Sequence, residues 1–293
     1  MDAPPLTPTT ADGRLGTAAE HPGLRDPRYL ARRRWFAGLA GGHQVGDPSP
    51  RITYLPSEHA VWRTVKRILE SAHRSHACRA VLEAREAVRF PADRLPQHAE
   101  VGAQLRRLTG FDFTLAGGVV ANERFLGSMA GGYFHAVQFV RHPAVPMYTP
   151  EPDLIHDVFG HGIHLAVPRF AEIYRLIGAA AARLRTGHAL QIVSDLYWFT
   201  LEYGVVEDDG ATKAYGAALL SSYGELGRFR SARIRELDVP AMLATPYDIA
   251  GYQPVLFRAR CLNHVTDTLA AFLATLDDDT ALRVRPPADD QPA

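Results

Sequence analysis

Two histidines separated by five positions, His156 and His161, follow a lead-in that contains Pro150 and Pro152. Proline lacks a backbone N–H and clashes with the preceding turn, so a regular helix cannot run through this lead-in. On an ideal helix, five positions correspond to about 500° of rotation, which would turn the two imidazoles about 140° apart. For both rings to act at one point, His156 must lie at a helix start or the turn must be distorted, and Gly160 loosens that turn.

A carboxylate, Glu202, follows further along the chain. Two imidazoles and one carboxylate occupy one face of an octahedral ion and leave the opposite face open, which is typical of non-haem Fe(II) oxygenases. The zinc-protease motif H-E-x-x-H places its histidines four positions apart, so it fits this spacing poorly. A zinc hydrolase that uses the same three residues and a metal-bound water remains an alternative. Histidines near a loop can also serve only as surface or hydrogen-bonded residues.

Composition narrows the class of protein. The chain has 293 residues, of which 46% are hydrophobic, and this suffices for one catalytic domain with a sizeable core. Basic and acidic side chains number 32 each, so nothing favours nucleic acid or an anionic membrane, and a small neutral or zwitterionic substrate is easier to accommodate. Two cysteines cannot build a disulfide framework, and no apolar run reaches the roughly 20 residues of a membrane span. Without a signal-like start, we expect a cytoplasmic location.

Apolar residues recur at helical spacing in three long segments, which predicts a mostly α fold with few short β-strands. Residues 1–50 are rich in Pro, Gly, Asp and Arg and are predicted to be disordered, and residues 279–293 are predicted to form a flexible tail. The catalytic domain is expected over residues 51–278. The three apolar sets are Val61, Val65, Ile68 and Leu69; Phe170, Ile173, Ile177 and Ala181; and Leu262, Val265, Leu269 and Phe272.

Four blocks of sequence, at residues 134–142, 146–161, 196–204 and 213–226, resemble the tetrahydropterin-dependent aromatic amino acid hydroxylases, and most of all their bacterial phenylalanine-hydroxylating members. The likeness covers about residues 50 to 275. It implies a single catalytic domain of that type, which hydroxylates the ring of an aromatic amino acid with Fe(II), dioxygen and tetrahydrobiopterin or a related tetrahydropterin. It also implies a monomer or small homo-oligomer whose partner is the small-molecule amino acid.

The resemblance assigns roles to residues by position. His156, His161 and Glu202 match the metal ligands. Arg141 matches an arginine that grips the substrate carboxylate, a task for which a planar guanidinium is suited, and Asp153 matches the acid that orients it. The positions that match other residues around the bound amino acid are Thr149, Ser221, Trp198, His135 and Tyr203.

A pterin site is implied along residues 117–125. Phe125 matches an aromatic residue that stacks on the pterin ring, and the loop backbone would bind the edge of that ring. Asp157 replaces a frequent glutamate of the family, and its shorter side chain would need a bridging water. The pterin-binding positions are Gly118, Val120, Asn122, Phe125 and Asp157.

Two residues favour phenylalanine as the substrate. Tryptophan hydroxylases tend to carry phenylalanine where this chain has Trp198, and His135 is the residue found in phenylalanine hydroxylases. The resemblance thus favours 4-hydroxylation of L-phenylalanine to L-tyrosine, with 3-hydroxylation of phenylalanine or hydroxylation of tryptophan as the alternative. Trp198 and Asp195 lie four and seven positions before Glu202, which predicts one shared helix face. The other face should carry Val193, Tyr197 and Thr200.

One segment departs from the family pattern. After the second histidine, relatives usually have a small or apolar residue, a proline and two apolar residues, whereas this chain has residues 162–165 with the sequence Gly-Ile-His-Leu. His164 could be a fourth metal ligand, a proton relay or a surface residue. We expect a surface residue, because the three-ligand set is complete without it.

Overall fold

The computed structural model describes residues 21–249 and 251–285. As predicted, this part of the chain is mostly α-helical. Short 3-10 turns lie at Pro22–Arg25, Met129–Gly131 and Phe229–Ser231, and π-helical turns at Asp157–Gly162 and Trp198–Glu202. The helices are α1 (Pro27–Leu39), α2 (Pro56–His76), α3 (Arg79–Ala87), α4 (His98–Thr109), α5 (Asn122–Ser128), α6 (Leu154–His156), α7 (Ile163–Leu165), α8 (Pro168–Arg183), α9 (Gly187–Tyr197), α10 (Ala217–Ser221), α11 (Tyr223–Leu226), α12 (Val239–Leu243), α13 (Leu262–Thr275) and α14 (Asp278–Val284).

Short strands form two small sheets in the described residues. Strands β1 (Asp112–Leu115) and β2 (Tyr133–Ala136) pair in parallel. The other sheet has the strand order β4-β3-β6-β5, in which only the β3–β4 pair is antiparallel. Its strands are β3 (Val205–Asp208), β4 (Ala211–Ala214), β5 (Arg233–Glu236) and β6 (Val255–Ala259). The turn between β3 and β4 uses Asp209 and Gly210, both with positive φ, as a tight hairpin requires.

The three helices predicted from apolar spacing are confirmed as α2, α8 and α13. On each helix the apolar stripe faces a common interior, where removal from water stabilises the fold by roughly 25 cal/mol per Å² of apolar surface. Most residues of the three stripes are buried, while Ile68 and Phe272 are half-buried. The largest buried cluster draws on residues from Phe36 to Ala281, so the core extends beyond both boundaries predicted for the domain.

The prediction of disorder is wrong for residues 21–50. Asp26 caps α1 by accepting hydrogen bonds from the backbone N–H groups of Arg28 and Tyr29, and proline begins the helix. Phe36 is 3% exposed within the core, and Arg33 forms an ion pair with Glu151 at 2.7 Å. One buried aromatic residue and one buried ion pair hold this segment, although its composition is polar. Residues 1–20 lie outside the described residues.

The predicted flexible tail is also corrected in part. Asp277 caps α14 through the N–H of Thr280, and Ala281 is fully buried. Arg285 then forms an ion pair with Asp195 on α9. The remainder of the predicted tail, residues 286–293, lies outside the described residues. Among the helices that the structure does describe, none combines the length and the apolar character needed to cross a bilayer.

Candidate metal centre and substrate cavity

The two histidines lie in one continuous helical stretch, in which a π-helical turn at Asp157–Gly162 joins α6 to α7. Hydrogen bonds in a π turn span five residues, so residues i and i+5 come to lie on the same side. The Nε2 atoms of His156 and His161 are accordingly 3.0 Å apart. Of the two arrangements that the spacing allowed, a helix start at His156 or a distorted turn, the structure has the distorted turn, which removes the 140° splay of an ideal helix.

Asp153 begins this helical stretch. Its carboxylate accepts the backbone N–H of His156 at 3.0 Å as an N-cap, after the two prolines of the lead-in. The same carboxylate accepts the Nε and Nη2 of Arg141 at 2.9 and 2.8 Å and the backbone N–H of Arg141 at 2.9 Å. Both side chains are almost completely buried. One acid therefore fixes both the start of the metal-binding helix and the direction of the guanidinium.

Glu202 ends a second π-helical turn, Trp198–Glu202, which continues α9. The N–H of Tyr203 donates to the carbonyl of Trp198, five residues earlier. The prediction of an ordinary helix face is therefore partly wrong: Trp198 and Glu202 line the same cavity, whereas Asp195 turns away and accepts the hydroxyl of Tyr247. Tyr197, which was assigned to the other face, is brought to the site because it precedes Glu202 by five positions.

Nitrogen and oxygen atoms of His156, His161 and Glu202 form the group that could hold a metal ion, with all three donor atoms within 4.8 Å of one another. Glu202 carboxylate oxygens lie 3.1 Å from His161 Nε2 and 3.7 Å from His156 Nε2. Adjacent ligands of an octahedral ion at about 2.1 Å are about 3.0 Å apart, so this spacing fits an octahedral face. Glu202 Oε2 is buried without a hydrogen-bond partner, which a cation would satisfy.

The charge state of the site suits a cation. Burial acts to raise the pKa of Glu202, but the neighbouring His161 and His156 outweigh it and lower that pKa, so the carboxylate is ionised. Burial lowers the pKa of His156 to about 4, so this imidazole is neutral near pH 7. An ionised carboxylate and a neutral imidazole are the forms that bind metals.

His156 is supported from behind by Ser221 on α10. Its Nδ1 lies 2.8 Å from Ser221 Oγ, and the Ser221 hydroxyl donates to the carbonyl of Ala218 at 3.2 Å. Gly160 allows α10 to approach this closely, because a Cβ at residue 160 would lie 2.7 Å from the carbonyl oxygen of Ala217. Ser221, which was predicted to lie around the bound amino acid, thus also contacts His156.

His161 is supported by residues that the sequence did not indicate. Its Nδ1 lies 2.6 Å from the hydroxyl of Tyr174 on α8, and that hydroxyl also lies 2.9 Å from Nδ1 of His164. His164 is fully buried, and its Nε2 is 2.5 Å from the carbonyl oxygen of Tyr215. The prediction of a surface residue is therefore wrong, because the helix that continues past the π turn directs this ring inward. His164 is also outside the metal-binding group.

A cavity of about 370 Å³ opens in front of the metal-binding group. Predicted substrate residues on its wall are Arg141, Thr149, Trp198, Ser221 and Tyr203. The Trp198 indole stacks on Tyr247 with ring centroids 4.6 Å apart and an angle of 18°, and it contacts Tyr203 at 4.7 Å. Thr149 donates its hydroxyl to the carbonyl of Glu151, which shapes the loop beside Arg141.

Glu225 is a wall residue that the sequence did not indicate. It is 6% exposed, and its carboxylate accepts the backbone N–H of Gln253 at 2.7 Å. Burial raises the pKa of Glu225 to about 7. The Gln253 side chain in turn accepts the Trp198 indole N–H at 3.3 Å, so the acid and the aromatic wall belong to one hydrogen-bonded group.

Most of the predicted pterin residues lie together beside this cavity. Gly118, Val120 and Asn122 precede and begin α5, and Val119 between them lies on the cavity wall and is 88% exposed. The Phe125 ring contacts Tyr197 at 5.4 Å, which in turn lies beside His161.

His135, predicted to influence substrate choice, fits a ligand near this loop. Its ring lies 6.4 Å from that of Phe125, and its Nδ1 lies 3.1 Å from the hydroxyl of Ser128. His135 Nε2 is buried without a partner, and a polar ligand atom would satisfy it.

Two features of the predicted pterin site were not expected from the sequence. Asp157 is buried behind the histidines, where its carboxylate accepts the N–H of Val137 at 2.7 Å, and it is not among the cavity-lining residues. Helix α1 packs against the loop: a Cβ at Gly117 would lie 3.0 Å from the carbonyl oxygen of Ala37. The segment that was predicted to be disordered therefore supports the loop that was predicted to bind the pterin.

Tyr197 and Tyr174 are the further site residues that sequence reasoning missed. The Tyr197 hydroxyl lies 3.4 Å from Nε2 of His161. A signal was available for Tyr197, because it precedes Glu202 by the same five positions that separate the two histidines. Tyr174 stands thirteen positions after His161 on another helix, and no spacing rule connects the two.

Comparison with known proteins finds relatives of this chain in both sequence and structure. A family model described as biopterin-dependent aromatic amino acid hydroxylase matches residues 10–290. Phenylalanine 3-hydroxylase of Streptomyces coeruleorubidus is 45% identical over 260 residues, which is 89% of this chain and 93% of the relative. The chloroplastic phenylalanine 4-monooxygenase of Pinus taeda is 34% identical over 261 residues, 88% of this chain and 73% of that relative.

A solved structure is also similar. The phenylalanine hydroxylase of Chromobacterium violaceum, with bound iron(III) and oxidised 7,8-dihydrobiopterin, superposes with a TM-score of 0.77 at 26% identity, over 89% of this chain and 96% of that one. The family model, over residues 10–290, includes the segments that carry the histidine pair, the carboxylate and the loop before α5.

Proposed function

This chain belongs to the biopterin-dependent aromatic amino acid hydroxylases, and we propose that it hydroxylates the ring of L-phenylalanine at position 3. The enzyme class, the iron and the pterin follow from membership in the family. The observation that carries the ring position is the 45% identity with a phenylalanine 3-hydroxylase, against 34% with a phenylalanine 4-monooxygenase. Membership in this family argues against the zinc-hydrolase alternative. Cytoplasmic location and oligomeric state remain predictions.

We assign the iron to His156, His161 and Glu202. Their donor atoms are spaced for one octahedral face, and the unpartnered Glu202 oxygen lies among them. When bound, iron(II) and the reduced pterin activate dioxygen and supply the electrons for its reduction. The protein holds each histidine by a hydrogen bond at the ring nitrogen that faces away from the metal.

Arg141 is proposed to bind the substrate carboxylate. Asp153 occupies its Nε and Nη2, which leaves the other edge of the guanidinium for a ligand in the cavity that Arg141 lines. Buried charge at Arg141 is compensated by Asp153 before a substrate arrives, so binding does not have to pay for desolvation of a free guanidinium. The amino acid would thus be oriented by its backbone, with the ring directed along the wall.

Trp198 and Tyr203 are proposed to hold the aromatic ring. Trp198 is fixed by stacking on Tyr247 and by its hydrogen bond to Gln253, so its face is presented in one orientation. A displacement of about 1 Å in an active site can change a rate about 100-fold. We therefore propose that the placement of this wall determines which ring position is hydroxylated, and 4-hydroxylation is the second candidate.

The loop at Gly118, Val120 and Asn122, together with Phe125, is proposed to bind the pterin. The exposed loop backbone can bond to a polar ring edge, and the Phe125 side chain provides an aromatic surface beside Tyr197. His135 offers its unpartnered Nε2 to the same space. Asp157 would contribute only through its bond to Val137 N–H, which fixes the strand end next to His135.

Product analysis tests the proposal. Iron(II)-loaded enzyme is incubated with a tetrahydropterin, dioxygen and L-phenylalanine, and the products are separated by chromatography against meta- and para-tyrosine and identified by mass. We expect meta-tyrosine as the main product, with oxygen uptake that depends on the pterin. Para-tyrosine alone would overturn 3-hydroxylation in favour of the second candidate, and parallel reactions with tyrosine and tryptophan would detect a different substrate.

A further inference from the structure

A buried chain of hydrogen bonds connects His161 to the protein backbone. It runs from His161 Nδ1 to the Tyr174 hydroxyl at 2.6 Å, from that hydroxyl to His164 Nδ1 at 2.9 Å, and from His164 Nε2 to the Tyr215 carbonyl oxygen at 2.5 Å. We propose that Tyr174 and His164 are positioning residues, which set the tautomer and the ring orientation of His161 for metal binding. This proposal rests on the ligand set assigned above.

The Tyr215 carbonyl determines the direction of every bond in this chain, because a carbonyl oxygen can only accept. His164 Nε2 must therefore carry a hydrogen. His164 is fully buried and its two partners are uncharged, so the ring is neutral and its Nδ1 is an acceptor. The Tyr174 hydroxyl donates to this Nδ1.

The consequence at the metal site follows in one further step. Since the hydrogen of the Tyr174 hydroxyl is engaged by His164, its oxygen accepts from Nδ1–H of His161. A neutral imidazole with hydrogen on Nδ1 has its lone pair on Nε2, the atom that faces His156 and Glu202. The chain therefore selects the one tautomer of His161 that can bind a metal at this place.

Packing holds the members of the chain in position. The His161 ring contacts the Phe134 ring at 4.3 Å on one side and is nearly parallel to the Tyr197 ring at 6.2 Å. The His164 ring stacks on Phe170 with centroids 4.4 Å apart and an angle of 19°. These aromatic contacts limit rotation of the rings, and the hydrogen bonds then determine which nitrogen is protonated.

His156 shows the same arrangement in a shorter form. Ser221 donates its hydroxyl to the Ala218 carbonyl, so its oxygen accepts from Nδ1–H of His156, which leaves Nε2 for the metal. Each histidine ligand is thus connected through a hydroxyl to a backbone carbonyl. At His161 the hydrogen-bonded connection from the hydroxyl to the carbonyl passes through one more residue, His164.

Cobalt(II) binding provides a test that does not depend on turnover. Cobalt(II) is titrated into the full-length protein and followed by its visible absorption, which reports both affinity and ligand geometry. We expect Tyr174→Phe and His164→Leu to weaken the affinity by about 10- to 100-fold, the range for outer partners of metal-bound histidines, and to change the spectrum. His164→Gln can still accept from Tyr174 and donate to Tyr215, so it should restore part of the affinity.

Two further variants separate the effect of the hydrogen-bond chain from the effect of packing. Phe111 is fully buried and packs against the Tyr174 ring with centroids 6.1 Å apart, but its side chain forms no hydrogen bond, so Phe111→Leu should lower the melting temperature and leave the cobalt affinity unchanged. The double variant Tyr174→Phe, His164→Leu should bind cobalt no more weakly than Tyr174→Phe alone, because both changes break the same chain.

Unchanged cobalt affinity and spectrum in both Tyr174→Phe and His164→Leu would overturn the proposal that these residues position His161. If Tyr174→Phe does not fold, the difference between His164→Leu and His164→Gln carries the same test. Glu202→Ala tests the ligand set separately. Loss of cobalt binding in that variant, together with normal binding in Tyr174→Phe and His164→Leu, would reject the positioning role alone. Normal binding in Glu202→Ala would instead reject the assigned ligands.

Discussion

The Nε2 atoms of His156 and His161 lie 3.0 Å apart, although five positions separate the two residues in the sequence. An α-helix cannot produce this proximity, whereas the π-helical turn at Asp157–Gly162 does. Glu202 reaches the same point at the end of a second π turn. The metal-binding group is therefore built from two local departures from α-helical geometry in otherwise regular helices.

Glu202→Gln should abolish most metal-dependent activity. The amide keeps the size of the side chain but removes the charge that offsets a cation, and it presents a weaker oxygen ligand. We expect kcat/KM for phenylalanine hydroxylation to fall by more than the roughly 100-fold that loss of an outer hydrogen-bond partner costs. Exposed Glu207→Gln is the matched control. Near-normal turnover with bound iron in the Glu202 variant would rule out this residue as a ligand.

Ser221→Ala should weaken iron(II) binding by about 10- to 100-fold, because His156 loses the acceptor that fixes its tautomer. The effect should be visible as a higher dissociation constant in a metal titration, with little change in kcat when iron is saturating. Ser71→Ala, on the exposed side of α2, is the control. An unchanged dissociation constant for the Ser221 variant would show that the hydroxyl does not orient the ligand.

Arg141→Lys should raise KM for L-phenylalanine. Lysine keeps the charge but loses the planar fork that can bind Asp153 and a second carboxylate together. An expected loss of about 1.5–3 kcal/mol for a charged hydrogen bond corresponds to roughly 10- to 150-fold weaker binding. The comparison ligand is phenylethylamine, which lacks the carboxylate: its affinity should change much less. Arg34→Lys on exposed α1 is the control, and equal losses for both ligands would contradict the assignment.

Glu225→Gln should change the pH dependence of stability. Burial raises the pKa of Glu225 from 4.5 to about 7, so the folded protein keeps a proton that the unfolded chain releases at lower pH. Through this group, stability falls as pH rises from about 4.5 to about 7 and is then constant. Glutamine cannot ionise, so the melting temperature of the variant relative to the wild type should rise over this interval and level off above it. A constant difference between pH 5 and 8 is the contrary result, with Glu207→Gln as the control.

Phe36→Ala tests whether α1 contributes to the core. Phe36 is 3% exposed in the core, and removal of a buried phenylalanine costs about 3–5 kcal/mol. Its neighbour Trp35 is 45% exposed, so Trp35→Ala should cost clearly less. Urea unfolding measures both. Equal small losses would mean that α1 does not contribute to the core.

The long helices could be predicted because their apolar residues recur at the 3.6-residue period, which burial of one face enforces. The three side chains that form the candidate metal site could also be named from the sequence. Asp195 and Tyr197 were assigned to the wrong faces because that reasoning assumed an α-helix up to Glu202, and nothing in the side-chain pattern shows where a π turn begins. His164 was misjudged for a related reason: its environment is supplied by Tyr174 and Tyr215, which are distant in sequence.

The N-terminal segment shows a different limit. Its polar composition resembles that of a disordered chain, yet few contacts suffice to order it once a folded surface is present. Phe36 enters the core, Arg33 meets Glu151, and the carbonyl of Ala37 packs against Gly117. Each contact joins residues more than 75 positions apart or depends on a formed core, so local composition contains no trace of them.

The carboxylate of Asp153 is shared between the guanidinium of Arg141 and the backbone N–H of His156. A substrate carboxylate at the free edge of Arg141 would be bound by a guanidinium that this acid orients, and the start of the helix that carries His156 depends on the same acid. We therefore expect occupancy of the amino acid site and affinity at the metal site to be thermodynamically linked. Linkage is reciprocal: phenylalanine would change the dissociation constant of the metal by a certain factor, and the metal would change the dissociation constant of phenylalanine by the same factor.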